Sequence, residues 1–170
     1  MFYKYFFFCF IFLFQKNILA QEISSKNTVY IEIGGNSLFY SINYDRNLVA
    51  FKNNNKLGAR IGVGGTLGYN DYLWDDDLYL GFYNFPLEVY YLIGENKHFL
   101  DIGIGIAPSI SGTPFKENQY HTDRFINLSY RFQKSEGGFF FRTGLLVQSY
   151  NIYGYTGPFP WGRIAVGYSF

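Results

Sequence analysis

One pattern recurs along most of this chain and restricts what it can fold into. Ile164, Val166, Tyr168 and Phe170 place a large apolar side chain at every second position, with Arg163, Ala165, Gly167 and Ser169 between them. An extended backbone sends alternate side chains to opposite faces, so this is a strand with one apolar face and one face of small or polar groups. The alternation returns in seven earlier segments. Val29, Ile31 and Ile33 oppose Tyr30, Glu32 and Gly34, and Leu38, Tyr40, Ile42 and Tyr44 oppose Phe39, Ser41, Asn43 and Asp45. Leu57, Ala59, Ile61 and Val63 oppose Gly58, Arg60, Gly62 and Gly64. Leu87, Val89, Tyr91 and Ile93 oppose Glu88 and Tyr90, and Leu100, Ile102, Ile104 and Ile106 oppose Asp101, Gly103 and Gly105. Ile126, Leu128, Tyr130 and Phe132 oppose Asn127, Ser129 and Arg131, while Phe139, Phe141, Thr143, Leu145 and Val147 oppose Arg142 and Gly144.

The connections sort these eight strands into an up-and-down order. Gly35-Asn36 is a two-residue hairpin signal that would pair Ile33 with Leu38, Ile31 with Tyr40 and Val29 with Ile42. Residues 47–55, 94–98 and 133–138 read as polar turns, whereas residues 68–83, 107–123 and 148–160 read as long loops. Pro86 cannot donate to a ladder, so its strand begins or bulges there. Apart from the first hairpin, long and short connections alternate, which gathers the short turns and both termini of the barrel at one end. An even strand count with this asymmetry fits an antiparallel barrel that crosses a membrane.

Alternation alone does not say which face is inside. A soluble barrel would turn the apolar face inward and expose the Gly-and-Arg face to water. The bulk of the Ile, Leu, Val, Tyr and Phe side chains overfills an eight-stranded interior, which is only wide enough for side chains to meet. With the polar face inward, Glu32, Glu88 and Asp101 meet Arg60, Arg131, Arg142 and Arg163 among glycines that leave room for long guanidinium groups. Buried charges need partners, and this set supplies them, so the expected interior is a packed polar network. Tyr40, Tyr44, Phe132, Phe139, Tyr168 and Phe170 lie near strand ends, where an interfacial aromatic girdle belongs.

Residues 1–20 read as a cleaved secretory signal, with Lys4 ahead of the apolar run 5–14 and Ile18-Leu19-Ala20 before the cut, leaving a barrel domain over 21–170. That run is too short to cross a membrane as a helix, which takes about 20 residues. The remaining chain carries 12 basic and 13 acidic residues, a balance that argues against a nucleic-acid partner. The only cysteine, Cys9, falls within the signal, so no disulfide is expected.

Candidate chemistry is sparse. His98 falls in a short turn and His121 in a long loop, and neither makes a nucleophile triad by spacing with Ser111 or Ser129. Asp71 and Asp75-Asp76-Asp77 offer oxygen ligands for a divalent cation but lack the spacing and glycine of a calcium loop. No catalytic, cofactor or metal site is expected. Tyr72, Trp74, Tyr79, Tyr153, Tyr155, Phe159 and Trp161 read either as a loop surface for ligands or as upper girdle residues.

The signal, the period-two strands over 28–170 and the Ile164/Val166/Tyr168/Phe170 ending resemble the small eight-stranded outer-membrane proteins of the OmpA/OmpX type. The resemblance implies an all-β, eight-stranded antiparallel up-and-down transmembrane β-barrel in the bacterial outer membrane. It implies two partners, outer-membrane lipid and the assembly machinery, which reads the terminal strand through Ile164, Val166, Tyr168 and Phe170. The chain departs from the type in its short first connection and in Pro86. Fold-level likeness does not carry activity. The leading expectation is a non-enzymatic barrel whose external loops meet lipid, surface polymers or ligands. The alternatives are a lipid-modifying enzyme and a narrow pore.

Overall fold

The computed structural model describes residues 25–37, 39–70, 79–113, 116–152 and 155–170. Residues 1–20, read as a signal, lie outside the described residues, as do Asp71, Tyr72, Trp74, Asp75-Asp76-Asp77 and Tyr153. The strands are β1 (Asn27–Gly34), β2 (Tyr40–Ala50), β3 (Lys56–Asn70), β4 (Tyr79–Asn84), β5 (Leu87–Glu95), β6 (His98–Thr113), β7 (Lys116–Gln133), β8 (Gly138–Ile152) and β9 (Tyr155–Ser169). All pairings are antiparallel, and β9 returns to β1 with Ile164 opposite Ile33 and Tyr168 opposite Val29, closing the sheet. Strands β4 and β5 are two segments of one stave, since both pair with β3 on one side and with β6 on the other. The chain is therefore a closed antiparallel barrel of eight staves.

The fourth stave breaks at Phe85-Pro86. Pro86 has no amide hydrogen, and the ladder is carried past it by Gly62 N–H donating to the Pro86 carbonyl (2.9 Å) and Phe85 N–H donating to the Pro108 carbonyl (2.8 Å). The first hairpin differs from the two-residue turn expected at Gly35-Asn36. Ile33 pairs with Tyr40, Ile31 with Ile42 and Val29 with Tyr44, a register two residues from the one expected. Gly34 and Gly35 both adopt left-handed backbone (φ 74° and 68°), which glycine alone takes without strain. Residues Gly35–Ser37 then form a 3₁₀ turn that carries Asn36 and Ser37 into the barrel mouth, where both are buried. A shift of two keeps every side chain on its face, so the apolar pattern could not distinguish the two registers.

Two of the expected long loops are largely ladder. Strands β6 and β7 continue pairing as far as Thr113 opposite Lys116, and β8 and β9 as far as Ile152 opposite Tyr155. Polar residues on both faces hide a strand from an alternation test, but backbone ladder bonds need no apolar face. Strand β3 runs on to Asn70 and β4 resumes at Tyr79, which shortens the third expected loop.

The short turns 51–55, 96–97 and 134–137 lie at one end with both ends of the barrel chain. Ser25 N–H donates to the Ser135 carbonyl, and Asn27 and Phe170 exchange backbone bonds of 2.9 and 2.8 Å. The outer face is apolar over the middle of the barrel: Ile31, Ile42, Ile61, Val89, Ile104, Ile126, Leu145 and Ile164 are all exposed.

Candidate functional site

The interior is the most constructed part of the molecule. Each of the eight staves contributes one charged side chain to a single connected ring: Glu32 from β1, Asp45 from β2, Arg60 from β3, Glu88 from β5, Asp101 from β6, Arg131 from β7, Arg142 from β8 and Arg163 from β9. All eight are buried. Asp45 pairs with Arg60 (3.4 Å), Arg60 with Glu88 (3.1 Å), Glu88 with Arg163 (3.8 Å) and Arg163 with Glu32 (2.9 Å). Glu32 then pairs with Arg142, Arg142 with Asp101 (3.8 Å), Asp101 with Arg131 (3.7 Å) and Arg131 with Asp45 (2.8 Å). Charges alternate all the way round, and an Arg60–Asp101 bond of 2.5 Å crosses the ring. Four carboxylates thus balance four guanidinium groups.

Packing and hydrogen bonds hold the ring in place. Arg60 stacks 4.1 Å from the centre of the Tyr90 ring, Arg131 lies 5.0 Å from that of Phe140, and Arg142 lies 4.9 Å from that of Tyr30. Tyr90 Oη donates to Asp45 (2.7 Å), and Arg142 donates to Tyr30 Oη (3.0 Å). Asn127 donates to Asp101 (3.0 Å), and Arg131 donates to Gln133 (2.7 Å). The glycines supply space. A Cβ at Gly103 would strike the Glu88 carboxyl, and one at Gly167 would strike the Val29 carbonyl and lie 2.6 Å from Tyr30 Cα. The interior above and below the ring is filled by Tyr90, Leu92 and Phe99 towards the short-turn end and by Ala107, Phe125 and Leu146 towards the other.

Asp45 was absent from the charge set collected strand by strand, which held three carboxylates. Its parity with Ser41 and Asn43 already put it on the polar face, and the surplus guanidinium was the signal that a fourth acid was missing. Asp123 was also missed, because residues 107–123 were read as loop. It lies on β7, buried, accepting from Gln148 (3.0 Å) and facing His121 Nε2 (2.7 Å). His121 is therefore a strand residue towards the end opposite the short turns, not a loop residue. Ser129 donates to Asn127 deep in the barrel, and among the described residues no serine hydroxyl meets the His121 ring. No group of three or more metal-ligating side chains occurs among the described residues.

On the outside, Ile164, Val166, Tyr168 and Phe170 project outward in a row along β9. An aromatic belt circles the short-turn end: Phe51 against Tyr91 (5.8 Å between centres), His98 against Phe132 (5.6 Å) and Phe132 against Phe139 (6.2 Å). Tyr44 Oη donates to Asn27 (2.7 Å), and His98 Nδ1 lies 2.6 Å from Tyr130 Oη. At the opposite end Phe159 meets Trp161 (5.6 Å), and Trp161, half-buried, packs on Phe125 and Leu146, so it supports the wall more than it presents a surface.

A closed antiparallel barrel of eight staves with buried charges inside and an apolar exterior is the architecture of the small outer-membrane β-barrels. Among solved structures, the N-terminal β-barrel domain of Pseudomonas aeruginosa OprF superposes with a TM-score of 0.52 at 15% identity, covering 86% of this chain and 99% of that one. The Ail protein of Yersinia pestis gives a TM-score of 0.49 at 10% identity, covering 86% and 97%. At these identities the likeness concerns fold. No family model and no curated protein sequence matches the chain.

Proposed function

We propose that the chain is a non-enzymatic protein of the bacterial outer membrane, spanning it as a closed barrel whose external loops meet lipid, surface polymers or ligands. The observation that carries this is the inversion of the usual core: the eight charges of the ring are buried within, while aliphatic side chains such as Ile104, 67% exposed, cover the outside. Water would penalise so continuous an apolar wall, whereas hydrocarbon does not, and a closed barrel leaves no backbone group unpaired in lipid. The Ile164/Val166/Tyr168/Phe170 row, ending at the seam with β1, serves in this reading as the signal taken up by the assembly machinery. In this reading the buried charge ring and the inward Gly35–Ser37 turn fill the lumen, and the barrel does not conduct.

Fractionation of the native protein with a heat-shift gel tests this. Recovery with outer membranes and a mobility change on boiling are expected, and recovery as a soluble periplasmic protein would refute it. Steady conductance in planar bilayers would replace the solid barrel with a pore.

A further inference from the structure

The short-turn end carries a charge pattern that membrane insertion alone does not require. Lys26, Arg46, Lys52, Lys97 and Lys134 are all exposed there, against Glu95 and Glu136. Among the described residues none of the five cations is paired with a carboxylate, although the acids are close at hand.

Two of the lysines, Lys97 and Lys134, gather at one place, with the backbone of Ser25, the neighbour of Lys26, beside them. The β5–β6 and β7–β8 turns are tied together by Gln133 N–H donating to the Lys97 carbonyl (2.9 Å). Ser25, next to Lys26, donates its amide to Ser135 and its hydroxyl to the Lys134 carbonyl (3.0 Å). Between the turns lies a notch of about 340 Å³ lined by Asn96, Lys97, Lys134, Ser135 and Glu136. Directly above it stands the His98/Tyr130/Phe132/Phe139 part of the aromatic belt, and Lys97 Nζ lies 5.6 Å from the centre of the Phe132 ring. Aromatic belts mark the boundary between hydrocarbon and headgroups. A cation one turn beyond that boundary sits at the depth of lipid phosphates, since the headgroup layer is only about 5–8 Å thick.

We infer that this notch is a docking site for the headgroup of an anionic glycerophospholipid of the leaflet on the short-turn side. The phosphate meets Lys97 and Lys134 with Lys26 nearby, and the acyl chains lie along Phe132 and Phe139. Glu136 offsets part of the positive charge of the notch, and the remaining lysine excess selects a headgroup of net negative charge. The inference rests on the membrane reading proposed above. A lysine near an anionic surface favours association by about fivefold, and salt screens the effect.

The test reconstitutes the full chain in phosphatidylcholine vesicles and measures, with spin-labelled lipids, the association of phosphatidylglycerol relative to phosphatidylcholine. A preference of about fivefold or more at low salt is expected, falling towards one in 0.5 M salt and in the K97Q/K134Q variant, with K52Q unchanged. A ratio near one for the wild-type barrel overturns the headgroup site while leaving the membrane reading intact. Absence of any motionally restricted lipid of either kind refutes both. Cosedimentation with purified peptidoglycan that is lost in K97Q/K134Q, without lipid preference, reassigns the lysines to a polymer and also overturns the inference.

Discussion

Asp45→Asn changes one atom type at an acid of the ring that meets two guanidinium groups and a tyrosine hydroxyl. The Asp45 carboxylate takes Arg131 at 2.8 and 3.0 Å, Tyr90 Oη at 2.7 Å and Arg60 Nε at 3.4 Å. An asparagine keeps one oxygen for Tyr90 and Arg131 Nη2. Its amide nitrogen then faces Arg131 Nη1 and Arg60 Nε, donor against donor. The ring is left with three carboxylates for four guanidinium groups, and the excess charge has no water to reach. Two unit charges about 4 Å apart are worth about 4 kcal/mol at an effective dielectric of about 20. Breaking one side of a buried pair costs about 3–5 kcal/mol, against a total stability of about 5–15 kcal/mol for a typical domain. At a urea slope of about 2 kcal/mol/M the unfolding midpoint of the reconstituted barrel should fall by about 2 M. Adding Arg131→Met removes the opposing charge, so the double variant should lose less than the sum of the two singles by about 1–3 kcal/mol. A midpoint for Asp45→Asn close to that of the wild type, or strict additivity in the double variant, would refute the charge-ring account.

Three other substitutions probe the wall, the packing and the seam. Ile104→Arg should destabilise the vesicle-inserted protein by about 2–4 kcal/mol, the cost of a cation near mid-membrane, whereas on a water-facing wall the change would stay within about 0.5 kcal/mol; urea titration in vesicles separates the two. Gly167→Ala forces a methyl group onto backbone of β1 that cannot move aside, so a loss of about 1–3 kcal/mol is expected in the same titration, and a neutral result would contradict the close approach of Tyr30 to β9. Phe170→Ala keeps both backbone bonds to Asn27 and removes only an outward side chain, 55% exposed. Its yield of inserted barrel in cells should fall several-fold while the unfolding midpoint of the inserted fraction changes little, and equal yields would remove the assembly role.

Deleting Phe170 outright is a poorer test, because it would also cut the two backbone bonds that close the seam. Neither the closure of the seam nor the identity of the partners within the ring is a local property of the chain. Arg142 and Glu32 are 110 residues apart, Arg163 and Glu32 are 131 apart, and no spacing rule links them.

What the amino-acid order determined by itself was the face of each residue within the apolar band. Parity is a local property of extended backbone, so one mutable choice, which face is inward, assigned Glu32, Arg60, Glu88, Asp101, Arg131, Arg142 and Arg163 together, and it assigned Asp45 to the same face even though it went uncounted. The number of staves followed from the same local pattern, and Pro86 marked where one of them breaks. Beyond the band, where polar residues, glycines and aromatics fall on both faces, parity carries no contrast, and the outer ladders of β6 with β7 and β8 with β9 are not legible as strand. Register was out of reach for a related reason: a shift of two residues at Gly35–Ser37 preserves every face. Which acid meets which guanidinium depends on register and on the stagger of the closed sheet, because some pairs face each other on neighbouring strands, as Asp45, Arg60 and Glu88 do, while others such as Asp45 with Arg131 reach across the barrel. The tertiary structure alone therefore decided that eight charges on eight staves join into one neutral ring.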